Sequence, residues 1–323
     1  ARHVALTRIY RAVLPFIAAD LLRLGLVMAF FPALAQRYMQ RITGNDEIAF
    51  GHFGTLGYVL AGWIGSVCGK GSRSTEEMNL PKNLSFLRDS SISISLTMIV
   101  IYMVLAVCAG QDYVEKQLSS GQHFLVYSII QAITFAAGVF IILQGVRLIL
   151  AEIVPAFTGF SEKLVPNARP ALDCPVVYPY APNAVLLGFF VSFIVGTLSM
   201  FGMVALHTVV IIPGVVGHFF CGAAAAIYGN AKGGRRGAVI GATVNSLMLS
   251  WLPLFILPVL GNLSLASSTF ADTDYLVPGI LLGNLGVRYS FKGIALVSAI
   301  ISAIILYNVW LIHDGATKPL LIF

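Results

Sequence analysis

Charge is scarce in this chain of 323 residues: Asp, Glu, Lys and Arg together make up 11% of it, against 58% apolar residues. Soluble domains carry about a quarter charged residues, so a mean hydropathy of +0.86 excludes a water-soluble globular protein. Cysteine is sparse too. Cys68, Cys108, Cys174 and Cys221 are scattered, with no CxxC spacing and no attendant histidines, which suggests neither a disulfide framework nor a metal site and reads as apolar filler. No GxxxxGK phosphate loop and no catalytic-triad pattern occurs, and no cofactor is called for. The net charge of +6 sits in loops that orient a membrane chain, so the partner it implies is the lipid bilayer and not nucleic acid.

Long apolar runs recur at 12–35, 48–69, 91–110, 124–150, 184–206, 208–230, 237–260 and 293–312, with a weaker one at 275–287. About 20 apolar residues span a bilayer, so the reading is an all-α polytopic membrane protein of about eight spanning segments. Loop charge gives direction. Lys70, Arg73, Lys82 and Arg88, then Lys163 and Arg169, then Lys232, Arg235 and Arg236 fall on one side when crossings are counted, and the positive-inside rule makes that side cytoplasmic. The loops Gln111 to His123 and Asn262 to Asp274 are expected outside. Arg37 with Arg41, and Arg288 with Lys292, run against this count. The chain begins at Ala1, directly on a basic stretch, and reads as a fragment.

Two segments are poor helices. FGHFGTLGYVLAGWIGSVCGK, from Phe50, holds six glycines, and IIPGVVGHFFCGAAAAIYGNAKGG, from Ile211, combines a proline with glycines and alanines. Such segments pack closely or break, and a broken backbone survives in hydrocarbon only when buried in protein or lining a wet cavity. Broken and re-entrant helices of this kind build solute sites in transporters. The triplet GHF at 51–53 and again at 217–219 fits an internal repeat, or chance.

The stretch ALDCPVVYPYAPNAV, from Ala171 to Val185, sets an aspartate at the mouth of an apolar run. Pro175, Pro179 and Pro182 cannot donate in a helical ladder and bias their predecessors away from α geometry, so Asp173 belongs to an extended or broken approach to a helix that starts near Asn183. A carboxylate there either accepts hydrogen bonds from a polar solute, or caps a helix, or pairs with Arg169. His52 follows Gly51 in the glycine-rich run and either donates to a solute oxygen or bonds a neighbouring carbonyl. The stretch SVCGKGSRST at 66–75 mimics a phosphoryl-accepting cysteine loop, but the strand such a loop needs is missing, and SRSTEE reads as a capping signal at Ser74 or Thr75.

The runs LPKNLSFLRDSSISISLTMIVIYM at 80–103, QGVRLILAEIVPAFTGFSEKLVP at 144–166, ALDCPVVYPYAPNAVLLGF at 171–189 and GHFF with GNAKGGRRGA at 217–238 resemble the ascorbate-specific EIIC permease family of the bacterial phosphotransferase system. The resemblance covers nearly the whole chain, as one transmembrane domain over 1–323 lacking the family's N-terminal helices. It implies an inverted-repeat homodimer with a moving core and a scaffold, a multi-pass protein of the bacterial inner membrane. It implies binding and translocation of L-ascorbate or a related sugar acid or polyol, phosphorylated by a partner EIIB and, through it, EIIA. His52 and Asp173 fall at substrate-ligand positions, with Gly51 and Asn183 beside them, and no catalytic or phosphoryl-carrying residue is expected in this chain. Phe53 stands where well-known members have glutamine, which points to a different substrate. The alternative is an ion-coupled secondary transporter of a small polar or anionic solute, in which Asp173 carries the ion.

Overall fold

The computed structural model describes residues 30–78, 90–163, 169–260 and 272–313. Helix α1 (30–43) leads into a two-residue strand β1 (Ala49–Phe50), after which the chain resumes as α2 (Thr55–Cys68). Helix α3 (Ser90–Ala109) is followed by a short α4 (Gln111–Leu118) bent 100° from it, then by the 40-residue α5 (Phe124–Lys163). Strand β2 (Ala171–Leu172), a 3-10 helix (Cys174–Tyr180), α6 (Pro182–Ala205), α7 (Val215–Ile256) and α8 (Thr273–His313) complete the described chain. The protein is all-α and polytopic: α5, α6 and α7 are each long and apolar enough to cross a membrane.

Helix α7 is a hairpin. At Gly234 the backbone takes φ +57° and ψ −151°, a conformation essentially reserved for glycine. The chain doubles back there: Asn245 donates to the carbonyl of Cys221 at 3.3 Å, although residues so far apart in a straight helix would be about 36 Å away. Its two arms, 215–233 and 235–256, correspond to the two runs expected at 208–230 and 237–260. The reverse holds for 275–287 and 293–312, which join as one helix, α8.

Small residues at four-residue spacing explain how α2, α6 and the hairpin pack. Gly57, Ala61, Gly65 and Gly69 of α2 meet Asn245, Gly241, Gly237 and Gly233 of α7, while Gly188, Ser192 and Gly196 of α6 meet Ala226, Gly222 and His218. A Cβ on Gly69 would come within 2.2 Å of the Gly233 carbonyl oxygen, and one on Gly229 within 2.2 Å of the Gly237 oxygen. In lipid there is no hydrophobic force between helices, so close backbone contact of this kind is what associates them. Helix α3 packs chiefly on α5, apart from this ladder.

The run 48–69 does not form one spanning helix, contrary to the expectation from hydropathy. Helix α2 has 14 residues, about 21 Å at 1.5 Å per residue, against about 30 Å of hydrocarbon. The chain enters as β1, and α2 returns it to the end it came from: Tyr38 of α1 lies under the Lys232 ammonium at 4.8 Å, and Arg235 N–H donates to the Arg73 carbonyl at 2.8 Å. Arg37 and Arg41 flank Tyr38 on α1 and so fall toward the Lys232 end of the molecule, with the basic residues against which they were counted. Residues 12–29, Lys82, Arg88 and the bulk of the 262–274 loop lie outside the described residues.

Candidate functional site

The two strands are the frame of the site. They pair in parallel with Ala49 opposite Ala171 and Phe50 opposite Leu172; Ala49 N–H donates to Pro170 O at 2.9 Å and Gly51 N–H to Leu172 O at 2.8 Å. Gly51 permits this approach, because a Cβ there would lie 3.0 Å from the Ala171 methyl. Arg169 pairs with Asp46, which also accepts from Gln36 at 2.7 Å, so the strand entrances are tied together and Arg169 is not the partner of Asp173. Burial works to raise the Asp46 carboxyl, yet bonds from Gln36 and Gln40 and the nearby Arg169 hold it below the usual range.

Immediately beyond the paired residues, the strands deliver His52 and Asp173 to one place. His52 Nδ1 accepts from the Gly54 N–H at 3.0 Å and lies 3.0 Å from the Tyr58 hydroxyl. A backbone N–H can only donate, so Nδ1 accepts and the ring hydrogen is on Nε2. That Nε2 faces two carboxylates, Asp173 Oδ1 at 3.8 Å and Asp272 Oδ1 at 3.9 Å. Neither distance is a hydrogen bond, and a ligand hydroxyl can sit between. Asp173 also N-caps the 3-10 helix by accepting from Cys174 N–H at 2.7 Å, so its capping role is real and coexists with its place beside His52. Its side chain is 70% exposed, against 17% for His52 and 28% for Asp272.

The start of α8 closes the arrangement. Asp274 accepts from Thr55 N–H at 3.1 Å and Leu56 N–H at 2.8 Å, and Thr273 Oγ1 accepts from Gly57 N–H at 3.1 Å. Three of the orphan donors at the N-terminus of α2 are thus satisfied from another helix. Asp274 N–H donates back to Phe53 O at 2.9 Å, and the Phe53 and Tyr275 rings lie 4.8 Å apart. Sequence reasoning missed Asp272 and Asp274, counting them as outer-loop charge. The signal was present: ADTD before YLVPGILLG is an acidic helix start.

Asn183 lies elsewhere. Its side chain donates to Thr75 O at 3.2 Å, while its N–H and that of Ala184 donate to Glu76 at 3.3 and 3.1 Å, so Glu76 covers the N-terminus of α6. Ser74 accepts from Glu76 N–H at 3.2 Å, the capping read from SRSTEE. Cys68 is exposed at the last turn of α2, so a helix and not a strand leads directly into it. The second GHF triplet also differs from the first: His218 sits within α7, buried, 2.8 Å from Ser192 Oγ.

Ligand atoms of His52, Asp173 and Cys174 lie within 4.8 Å of one another, a donor set that suits zinc by type. The ring argues otherwise. A metal on Nε2 would require the proton on Nδ1, where it would meet the Gly54 N–H. The arrangement suits a hydroxyl better than a metal ion.

Comparison with known proteins agrees with this membrane architecture. Residues 4–274 match the family described as the sugar-specific permease component of the phosphotransferase system. The chain belongs to that family. A relative from Mycoplasma pneumoniae (strain ATCC 29342 / M129 / Subtype 1), the ascorbate-specific EIIC component of a phosphotransferase system, is 26% identical over 227 residues. The match covers 62% of this chain and 34% of that relative, so the chain spans about a third of its length. As an EIIC-type permease component, the chain is a multi-pass membrane protein in which the His52 cluster lies at the broken start of a half-length helix.

Proposed function

We propose that this chain binds and translocates a small polyhydroxylated sugar derivative, L-ascorbate or a related sugar acid or polyol, for phosphorylation by a separate EIIB protein supplied through EIIA. The working unit is a homodimer in the bacterial inner membrane. The observation that carries this is the His52 Nε2 lying 3.8 and 3.9 Å from two carboxylates. His52 gives one donor, Asp173 supplies acceptor lone pairs, and Gly51 holds the strands that place them. Helix α2 runs about 21 Å from this cluster to Cys68, which sets the site near mid-bilayer and the basic 69–73 loop at the membrane edge where a partner phosphorylates its cargo.

No chemistry beyond binding and carrying is assigned to these residues, because the phosphoryl group arrives on the partner. The test is uptake of labelled ascorbate and hexitols into vesicles with and without EIIB. Uptake that requires EIIB and yields phosphorylated product supports the permease reading. Uptake that survives without EIIB and stops when the ion gradient is collapsed replaces it with an ion-coupled carrier, with Asp173 or Asp272 as the ion-carrying group.

A further inference from the structure

Asp272 matches no site residue expected from sequence, yet its carboxylate lies as near to His52 Nε2 as that of Asp173. The two acids arrive on separate elements, one at the end of β2 and the other just before α8. Resting on the permease reading, we infer that Asp272 determines substrate charge: with Asp173 it brackets the His52 Nε2–H and selects the uncharged vicinal diol of a polyol over an anionic sugar acid.

Hydrogen-bond accounting supports this. The Nε2–H offers one donor, and the two carboxylates offer only acceptors. A hydroxyl about 2.8 Å from both Nε2 and a carboxylate oxygen accepts from the first and donates to the second. A neighbouring hydroxyl on the next carbon donates to the other carboxylate. A diol therefore satisfies the cluster, and since the anion of a sugar acid such as L-ascorbate also carries a vicinal diol, the discrimination falls to charge. Among the described residues the ion-pair contacts of Asp173 and Asp272 are both with His52, and Arg169, the nearest cation in sequence to Asp173, is turned to Asp46. The Nδ1 of the ring accepts from the Gly54 N–H, which leaves Nε2 as the nitrogen facing the acids. The Cys221 thiol, 4.0 Å from Asp272 Oδ1, is too weak a donor to offset the charge. Among the described residues an incoming anion meets two negative groups and no cation paired with either, which is disfavoured where water is scarce.

The experiment measures binding of labelled mannitol, sorbitol, galactitol and L-ascorbate to the intact permease at neutral pH, for wild type, Asp272→Asn and Asp272→Glu. The wild type is expected to bind at least one hexitol about tenfold or more tightly than ascorbate, a difference of about 1.4 kcal/mol. Asp272→Asn loses about tenfold in hexitol affinity and narrows or reverses the preference; Asp272→Glu keeps the rejection of ascorbate. The ratio of the two affinities is decisive, because a merely structural fault lowers both together. A wild type that binds ascorbate as tightly as every hexitol, or binds no hexitol, overturns the inference, as does an unchanged ratio in Asp272→Asn. EIIB-dependent uptake persisting beside an unchanged ratio removes Asp272 alone. Loss of EIIB dependence removes the permease reading, while the ratio still decides the role of Asp272.

Discussion

The two ends of α2 are built on opposite rules. At its C-terminal end Gly65 and Gly69 touch Gly229, Gly233 and Gly237 backbone to backbone, with no room for a methyl group. At its N-terminal end the polar groups of His52, Asp173 and Asp272 stand nearly 4 Å apart with hydrogen bonds unmade. The first end is closed by packing, and the second presents polar side chains that are not bonded to one another. Packing at the ladder holds the helix in place, and that fixity lets the mouth keep unsatisfied groups in position instead of collapsing on them.

The largest effect is expected from breaking the ladder. Gly229→Val sets a branched side chain where even a Cβ would lie 2.2 Å from the Gly237 oxygen, a backbone atom that cannot rotate away. The cost is about 3 kcal/mol or more, a large part of a typical folding free energy of about 5–15 kcal/mol. Loss of monodisperse protein in detergent is the readout; a normal elution profile and unchanged thermal midpoint would mean the ladder yields. Breaking the mouth costs less and acts on binding. Asp173→Asn should weaken substrate affinity by about 1.5–3 kcal/mol, the range for a hydrogen bond to a charged group, with the fold intact. His52→Ala should act likewise, and unchanged affinity in either folded variant returns that residue to a structural role.

Asp274→Ala probes the joint between the two ends. It uncaps Thr55 and Leu56 and should cost about 1–2 kcal/mol of stability, measured by thermal unfolding, with substrate affinity falling as the mouth loosens. A variant as stable as wild type would show that water replaces the carboxylate. The smallest effect is predicted for Cys68→Ser: under the proposed division of labour the phosphoryl group resides on EIIB, so replacing this exposed thiol at the last turn of α2 should leave EIIB-dependent uptake unchanged. A phosphocysteine at that position would assign the carrier role to this chain.

Hydropathy and loop charge located most helices because both are local properties. The runs at 91–110 and 184–206 match α3 and α6 to within two residues. What misled was depth. The run 48–69 is apolar throughout, and nothing in a hydropathy window distinguishes a helix that crosses from a strand and half-helix that enter and return. Gly51 and Gly54 were the local clue, and the parallel pairing of Ala49 with Ala171 depends on a strand more than a hundred residues away. The site was half readable for the same reason. Asp173 announced itself as a charge among prolines, whereas Asp272 sat among loop acids, and only folding shows that it turns inward to His52.

The backbone contacts of the ladder also bear on speed. Helices that meet through glycine carbonyls and Cα atoms have no side-chain rotamers with which to absorb displacement, so α2, α6 and the hairpin cannot flex past one another residue by residue. Under the proposed carrier role, moving the His52 cluster across the bilayer requires the whole unit to shift against α3 and α5, a collective motion of microseconds to milliseconds, in place of a quick local gate. Such a step is sensitive to the thickness of the surrounding bilayer, because a body that cannot deform must push the lipid aside instead.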